Sequence, residues 1–392
     1  MIVAMFTNNF SPIVSGVTTS VTRLERGLTK RGHVVHIFAP WVPGHRDTHE
    51  TVHRVPSLPL PAPLIPLPIP HAPGLARAVA AVRPDIFHAH HPFLLGRDAL
   101  RLARRMQRPI VFTYHAMYEE YVHNVPVLPE APLRRIVFQR ALDFAQRVDA
   151  VIVPSSSLAT ILTARGLGTS LHVIPTGINP ALFRRNDAVR QATRQTWRAE
   201  PNDVVIVSFA RLSKEKHFDL LLSAFARLRQ QHPKAALRLV IGGDGPEQEA
   251  LQRQAHELRL GNRVLFAGFV PHDAVPSFLA GGDLFAYTSQ SETQGLVTLE
   301  ALAAGLPAVV VDAPGNRDIV QHEVSGMVTE ATAEAVAEGL GQLVERRDLR
   351  EQRSREARRR AEDFSEEHFA ERVEALYVSL ASPRYERTAT PA

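Results

Sequence analysis

Two series of short apolar runs, most of them followed by a helical pattern, limit what this chain can fold into more than any other feature. The first series covers 2–6, 34–39, 86–88, 110–114, 150–154 and 172–174; the second covers 204–210, 238–242, 264–267, 284–288, 308–311 and 327–328. Apolar runs without polar alternation suit parallel strands covered on both faces, and helical stretches between them, such as 18–31 stopped by Gly32, supply the crossovers. Each series therefore predicts an α/β, doubly wound parallel sheet. A chain of 392 residues exceeds what one hydrophobic core commonly serves, and 45% hydrophobic content can fill two. The polar stretch 184–198 separates the series, which sets the expected domains at 1–182 and 183–365. A charged helical pattern over 348–379 follows, and residues 366–392 are read as a C-terminal helix and tail.

The second series holds the most informative segment. Glu292 and Glu300 stand eight residues apart around Gly295, which opens an apolar helix at Leu296 and Val297; Gly305 and Pro307 close it before the run 308–311. The amides at Gly295, Leu296 and Val297 leave unpaired donors at a positive dipole end, which favours a phosphate. Glu292 precedes that anion site, with Thr293 beside it, and Glu300 lies about two turns inside, so the carboxylates can accept hydroxyls on either side of a diphosphate. Taken alone, such acids serve equally well as surface groups that stabilise the helix dipole. Arg211 and Lys216 change the balance. They follow the run 204–210, at the carboxyl end of a strand, where open α/β sheets bind ligands. Both are expected to face solvent and to neutralise a diphosphate. Together the two junctions point to a nucleotide sugar.

Charge and punctuation narrow the partners. Residues 1–180 hold 18 Arg and Lys against 10 Asp and Glu, a net charge of +8, whereas the remainder carries −3. No nucleic-acid recognition signature accompanies the cations, so an anionic membrane surface fits better than nucleic acid. The stretch 56–73 carries eight prolines among Leu58, Leu60, Leu64, Ile65, Leu67 and Ile69, which forbids helix. Its apolar side chains either pack back on the domain or form an exposed patch that touches acyl chains or membrane. Residues 132–148 set Leu133, Ile136, Val137, Phe144 and Val148 among Arg134, Arg135, Arg140 and Arg147, the pattern of either a core helix with a solvated basic face or an interfacial one. The start of the chain lacks the basic and long apolar segments of a signal peptide, and no stretch gives about 20 uninterrupted apolar residues. The expected location is the cytoplasm, peripherally associated with the inner face of the cell membrane. With no cysteine, disulfides and thiolate metal sites are excluded. No Asp-x-Asp pair occurs, and His90–His91–Pro92 has no carboxylate at a ligand spacing, so neither a metal nor another cofactor is expected. His115, directly after the run 110–114, should sit at the carboxyl edge of its sheet, although any one of 18 histidines more often serves as an ordinary hydrogen-bonding residue.

Several motifs agree in order with a known family. Phe10–Ser11–Pro12–Ile13–Val14–Ser15–Gly16–Val17 resembles its glycine-rich N-terminal loop, Pro175–Thr176–Gly177–Ile178–Asn179 its interdomain segment, and Gly242–Gly243–Asp244–Gly245–Pro246 its second-domain turn. With Arg211, Lys216 and the Glu292–Glu300 spacing, the chain resembles the GT4 family of retaining glycosyltransferases over nearly its whole length. More narrowly, residues 112–123, which include His115, Tyr118, Glu119 and Tyr121, look like the acceptor-side motif of bacterial diacylglycerol glycosyltransferases. His217 stands where many members carry glycine, and Gly315–Asn316–Arg317–Asp318 departs from the usual Gly-Gly and Glu pattern.

The resemblance implies the GT-B fold: two Rossmann-like, doubly wound domains facing a cleft, the first binding the acceptor and the second the nucleotide sugar, with a C-terminal helix crossing back to the first. It also implies retaining, metal-independent transfer of a hexose from a UDP-sugar to a hydroxyl of a diacylglycerol-type lipid. In that scheme Arg211 and Lys216 neutralise the departing diphosphate, Glu292 holds sugar hydroxyls, Glu300 holds the ribose, and Val270 meets the base through its backbone. His115 lies beside the donor sugar, and Tyr118, Glu119 and Tyr121 face the acceptor. Gly16 gives the first-domain loop room to approach the phosphates. Three alternatives remain: a sugar-nucleotide epimerase, a transferase acting on a soluble or polysaccharide acceptor, and a non-catalytic nucleotide-sugar-binding or membrane-adaptor protein.

Overall fold

The computed structural model describes residues 1–13, 15–60, 66–120 and 130–382. Two compact units emerge, one built from Met1–Gly177 and the chain from Glu366 onward, the other from Ile178–Ser365.

The first unit is a parallel sheet of seven strands in the order β3-β2-β1-β6-β7-β8-β9. Its strands are β1 (Ile2–Phe6), β2 (Val34–Pro40), β3 (Val52–Val55), β6 (Ile86–Ala89), β7 (Ile110–Thr113), β8 (Ala150–Val153) and β9 (Leu171–Val173), with α1 (Gly16–Lys30), α2 (Leu75–Val82), α3 (Leu95–Arg105), α4 (Glu130–Ala145) and α5 (Ser156–Ala164) as crossovers. Strands β6, β7 and β8 are buried along their whole length, which is why they read as continuous apolar runs. Alternate residues feed two cores: Phe6, Phe38, Phe87 and Phe112 on one face, Val3, Met5, Ile37 and Ile152 on the other. Sequence reading missed β3, since Val-His-Arg-Val is polar at its centre and only Val55 is buried. It also missed a two-residue antiparallel ribbon, β4 (Ser57–Leu58) with β5 (Leu67–Pro68), inside the proline-rich stretch. Of the two fates offered to that stretch, the structure shows exposure: Leu58, Leu60, Leu67 and Ile69 all stay open to solvent. Leu64 and Ile65 lie outside the described residues.

The second unit is a six-stranded parallel sheet, β12-β11-β10-β13-β14-β15. It comprises β10 (Val204–Phe209), β11 (Leu237–Gly242), β12 (Val264–Gly268), β13 (Leu284–Tyr287), β14 (Ala308–Val311) and β15 (Gly326–Thr329), with α6 (Asp187–Thr196), α7 (Phe218–Gln231), α8 (Gln248–Glu257), α9 (Val275–Ala280), α10 (Leu296–Ala303), α11 (Pro314–Ile319), α12 (Ala333–Glu345) and α13 (Arg347–Glu362). Ile206, Leu239, Ile241 and Val309 fill one face and Val205, Val207, Val240 and Val310 the other. The strand order reverses between β10 and β13, which leaves a crevice outside their carboxyl ends.

The second unit begins at Ile178, five residues before the boundary read from composition, because Ile178 and Phe183 both pack into its core. The charged tail is two helices rather than one. Phe364, buried in the second unit, interrupts it, and α14 (Glu366–Ala381) belongs to the first. There Phe369, Val373, Leu376, Tyr377 and Leu380 complete the core that contains Val3 and Met5. Helix α14 lies close against α1: a Cβ on Gly27 would fall 2.6 Å from that of Ala370.

Candidate functional site

In the second unit the switch point gathers most of the residues singled out from sequence. β10 ends at Phe209 and delivers Arg211 and the turn Lys214–Lys216, while β13 ends at Tyr287 and delivers Thr288–Gly295. At the end of β13 the Thr288 hydroxyl holds the two loops together, its Oγ1 donating to the His217 carbonyl at 2.7 Å. His217 itself sits at φ 52°, the left-handed region that explains the family's glycine there. Arg211 is exposed and has no ion-pair partner among the described residues. The turn Gly242–Pro246 packs beneath it, because a Cβ on Gly243, at φ 124°, would lie 1.9 Å from the Ala210 carbonyl oxygen.

Lys216 departs from expectation. Its side chain is 14% exposed, not solvent-facing, and its Nζ meets Glu292 Oε1 at 2.6 Å. Tyr287 and Ser289 donate their hydroxyls to the same oxygen, each at 2.9 Å. Burial alone would push the Glu292 carboxyl up, but the Lys216 ammonium and these hydrogen bonds outweigh it and hold the group below the usual range. Glu292 is thus an ionised carboxylate whose Oε1 is saturated by the protein, with Oε2 left to accept other hydroxyls. Gly295 takes φ 78° as the residue before α10, and no side chain caps that helix. The helix begins at Leu296, so Glu300 lies little more than one turn inside, not two, and it is buried. Thr293 is half-buried in the loop. Val270 is half-buried against the end of β11: a Cβ on Gly242 would reach within 2.7 Å of Val270 Cγ2.

Beneath this loop lies the start of α11. Gly315 N–H donates to the Glu292 carbonyl at 2.9 Å, and a Cβ there would stand 2.5 Å from the Gln294 nitrogen. Asn316 is fully buried; its amide donates to the Ser289 carbonyl at 3.2 Å and the Val311 carbonyl at 3.1 Å.

In the first unit, Gly16 is exposed and opens α1, which Ser15 caps by accepting from Thr18 N–H. His115 follows β7, and its Nε2 lies 2.9 Å from His90 Nδ1. His90 in turn packs its ring 4.1 Å from that of His88, which bonds Tyr377 at 2.6 Å and Thr113 at 2.7 Å. Burial drives all of these imidazoles down, His88 to about 3, His91 to about 4, and His90 and His115 well below their ordinary value. His115 is therefore a neutral hydrogen-bonding group rather than a cation. Tyr118 stacks edge-on to Phe93 and Tyr114. Glu119 is buried and paired with Arg165 at 2.6 Å. Tyr121 lies outside the described residues. On α4, Arg134 pairs with Glu120 at 3.0 Å; Arg135, Ile136 and Arg140 are exposed, whereas Ala141, Leu142 and Phe144 near its C-terminal end are buried. Among the described residues no cluster of three or more His, Asp or Glu is placed to hold a metal ion, and no helix is long and apolar enough to cross a membrane.

Four contributors escaped the sequence: Tyr287, Ser289, Asn316 and His90. The polar trio Tyr287–Thr288–Ser289 at the end of an apolar run was a usable signal for the first two. The departure at Gly315–Asn316 was one for the third.

Residues 14–182 match Glycosyltransferase Family 4, and residues 189–360 match Glycosyl transferases group 1. The chain is 30% identical over 388 residues to an alpha-monoglucosyldiacylglycerol synthase of Streptococcus pneumoniae, covering 96% of this chain and 86% of that protein. It is 31% identical over 392 residues to a GDP-mannose-dependent alpha-(1-6)-phosphatidylinositol dimannoside mannosyltransferase of Mycobacterium tuberculosis, covering 97% of each. Its fold matches Anabaena Alr3699/HepE, solved with UDP and glucose, at a TM-score of 0.77 and 22% identity over 96% of this chain and 99% of the other. Two parallel-sheet, Rossmann-like halves of this kind are the GT-B architecture.

Proposed function

The chain belongs to glycosyltransferase family 4, and on that premise we propose that it is a retaining enzyme that moves a hexose from a UDP-sugar to a hydroxyl of a diacylglycerol-type membrane lipid. The observation that carries the donor half is the saturation of Glu292 Oε1 by Lys216, Tyr287 and Ser289 at the switch point, which leaves a fixed anionic oxygen for sugar hydroxyls. The acceptor half is supported by the two relatives, one named for a glucosyldiacylglycerol and the other for a phosphatidylinositol dimannoside. Both are named for an alpha linkage, the outcome of retention from an α-linked sugar nucleotide. A UDP-sugar is the reading supported by the UDP and glucose seen on the shared fold and by the glucosyl product for which the first relative is named.

In the proposed step the bond from the anomeric carbon to the diphosphate oxygen breaks, and its electron pair stays on the diphosphate. The acceptor oxygen bonds to the same face of that carbon and its proton passes to the diphosphate. Arg211, Lys216 and the first amides of α10 stabilise the charge that develops on the leaving group, so no metal is required for that role. Glu292 Oε2 orients the sugar, Glu300 accepts from the ribose, and the backbone at Val270 meets the base. Gly16 admits the phosphates to its loop, and neutral His115 hydrogen-bonds a sugar hydroxyl. Tyr118 and Glu119 shape the acceptor side.

The enzyme works as a peripheral protein on an anionic leaflet, reached through Arg135 and Arg140 of α4 and the apolar ribbon of β4 and β5. Incubation with a panel of labelled UDP- and GDP-sugars, with and without diacylglycerol vesicles, tests the reading. Lipid-soluble label should appear with a UDP-hexose. Transfer from GDP-sugars alone would overturn the donor, and transfer only to soluble acceptors would overturn the lipid.

A further inference from the structure

We propose that Asn316 is a positioning residue for Glu292, acting through Ser289 and the backbone that α11 braces; the inference rests on Glu292 being the carboxylate that orients the donor sugar. Asn316 stands in the segment that departs from the family pattern. It is fully buried, and its surroundings fix its orientation. Both nearby carbonyls, Ser289 and Val311, need a donor, and only the amide nitrogen supplies two; Oδ1 is left toward Thr298 Oγ1 at 3.5 Å. The two carbonyls stand just past β13 and at the end of β14, so one side chain sets where the loop leaves the sheet. Ser289, held by its carbonyl, then aims its hydroxyl at Glu292 Oε1 at 2.9 Å. The neighbouring Gly315 N–H holds the Glu292 main chain at 2.9 Å, and a Cβ on Gly315 would strike Gln294. Glu292 is thus located twice from α11, once through its backbone and once through Ser289. Asn316 touches neither the saturated carboxylate nor Lys216. Its influence on the reaction has to pass through the loop.

The test is a double-mutant cycle on the full chain, using the sugar nucleotide that the wild-type protein turns over in the donor panel. Asn316→Ser keeps one short donor and Asn316→Asp keeps the shape while removing both donors; whichever melts within a few degrees of wild type is used. We expect kcat to fall at least tenfold with affinity for the free nucleoside diphosphate within about twofold. In a Glu292→Gln background the same substitution should cost less than twofold, because the group it positions is already disabled. A purely structural residue would instead multiply its loss onto that of Glu292→Gln, and that result overturns the inference while leaving the sugar-carboxylate reading intact. A fully active Glu292→Gln variant overturns both. Failure of both Asn316 variants to fold marks the residue as a core strut and overturns the assignment as well.

Discussion

Lys216 cannot be removed without stranding Glu292. Both side chains are largely buried, so Lys216→Ala leaves a carboxylate in the interior with no counter-charge, a change that costs about 3 kcal/mol in comparable pairs. The same substitution removes a donor to the leaving group, which typically lowers kcat by about 100-fold. Arg211→Ala should show the kinetic loss alone, because the guanidinium is exposed and has no ion-pair partner among the described residues. Turnover and thermal melting of both variants check this; equal melting for the two would show that the pair carries no stability. Glu292 also predicts a pH dependence. Its carboxyl is held below the ordinary range in the fold, so the associated stability is fully present above about pH 4.3 and is lost as pH falls toward the folded value. Hydrogen exchange at the β13 amides should therefore become less protected below about pH 4 in the wild type and change less steeply in Glu292→Gln. At this scale the charged residues of the site were legible, since acids and bases at strand ends stand out against apolar runs. The hydroxyl and amide groups that orient them were not, because Ser289 and Asn316 look like ordinary loop residues until the chain brings them together.

Strand β6 brings three histidines to the carboxyl edge of the first sheet, all held low by burial, His88 at about 3, His91 at about 4 and His90 well below its ordinary value. For a base the sign runs the other way from a carboxylate in chemistry but not in pH. The unfolded chain takes up protons from about pH 6.5 downward while the folded one does not, so the first unit loses stability as pH falls through 6.5 toward those values. Exchange protection of the β6 amides should drop between pH 7.5 and pH 5, with a shallower slope in His88→Leu, which also loses the bonds to Tyr377 and Thr113. An unchanged slope would remove His88 from the cause. Helix α4 and the β4–β5 ribbon set the second expectation at this scale. Each near-surface cation contributes about 1 kcal/mol toward an anionic leaflet. Arg134 is already engaged by Glu120, so the informative pair is Arg135→Glu with Arg140→Glu, and Leu58→Ser with Leu67→Ser tests the ribbon. Each double variant should weaken sedimentation with anionic vesicles at least tenfold, the arginine effect fading at high salt. Equal binding of wild type to neutral and anionic vesicles would remove the electrostatic surface. Element existence was easy to read wherever both faces of a strand are covered; β3 and the ribbon were missed because most of their residues are half-buried or exposed and carry no period.

For the whole molecule, the alternation of apolar runs and helical stretches made two doubly wound sheets legible, while the strand order and the chain's path between units were not. Both depend on long-range pairing: β10 lies beside β13 with two strands and their helices between them in sequence, and the charged tail gives no sign that Phe364 ends one unit and Phe369 enters another. That path leads to the final prediction. The second unit is one continuous segment, and its ends meet, with Ile178 N–H donating to the Phe364 carbonyl at 2.7 Å and Ile178 pairing with Ser365. It holds a core on each face of its sheet and the whole Arg211, Lys216 and Glu292 cluster. Expressed alone, residues 178–365 should fold and bind the nucleoside diphosphate within a few-fold of the full chain, without transferring sugar. The first unit has no such independence, since removing α14 uncovers the face formed by Val3, Met5 and Ile37. Five buried side chains leave with the helix, at about 1.5–3 kcal/mol each, a loss comparable to the roughly 5–15 kcal/mol that holds a domain folded. A chain truncated after Ser365 should then keep the exchange protection of β10–β15 and lose that of β1–β9. If the protected amides of the first sheet survive the truncation, α14 is an accessory to that unit and not part of its core.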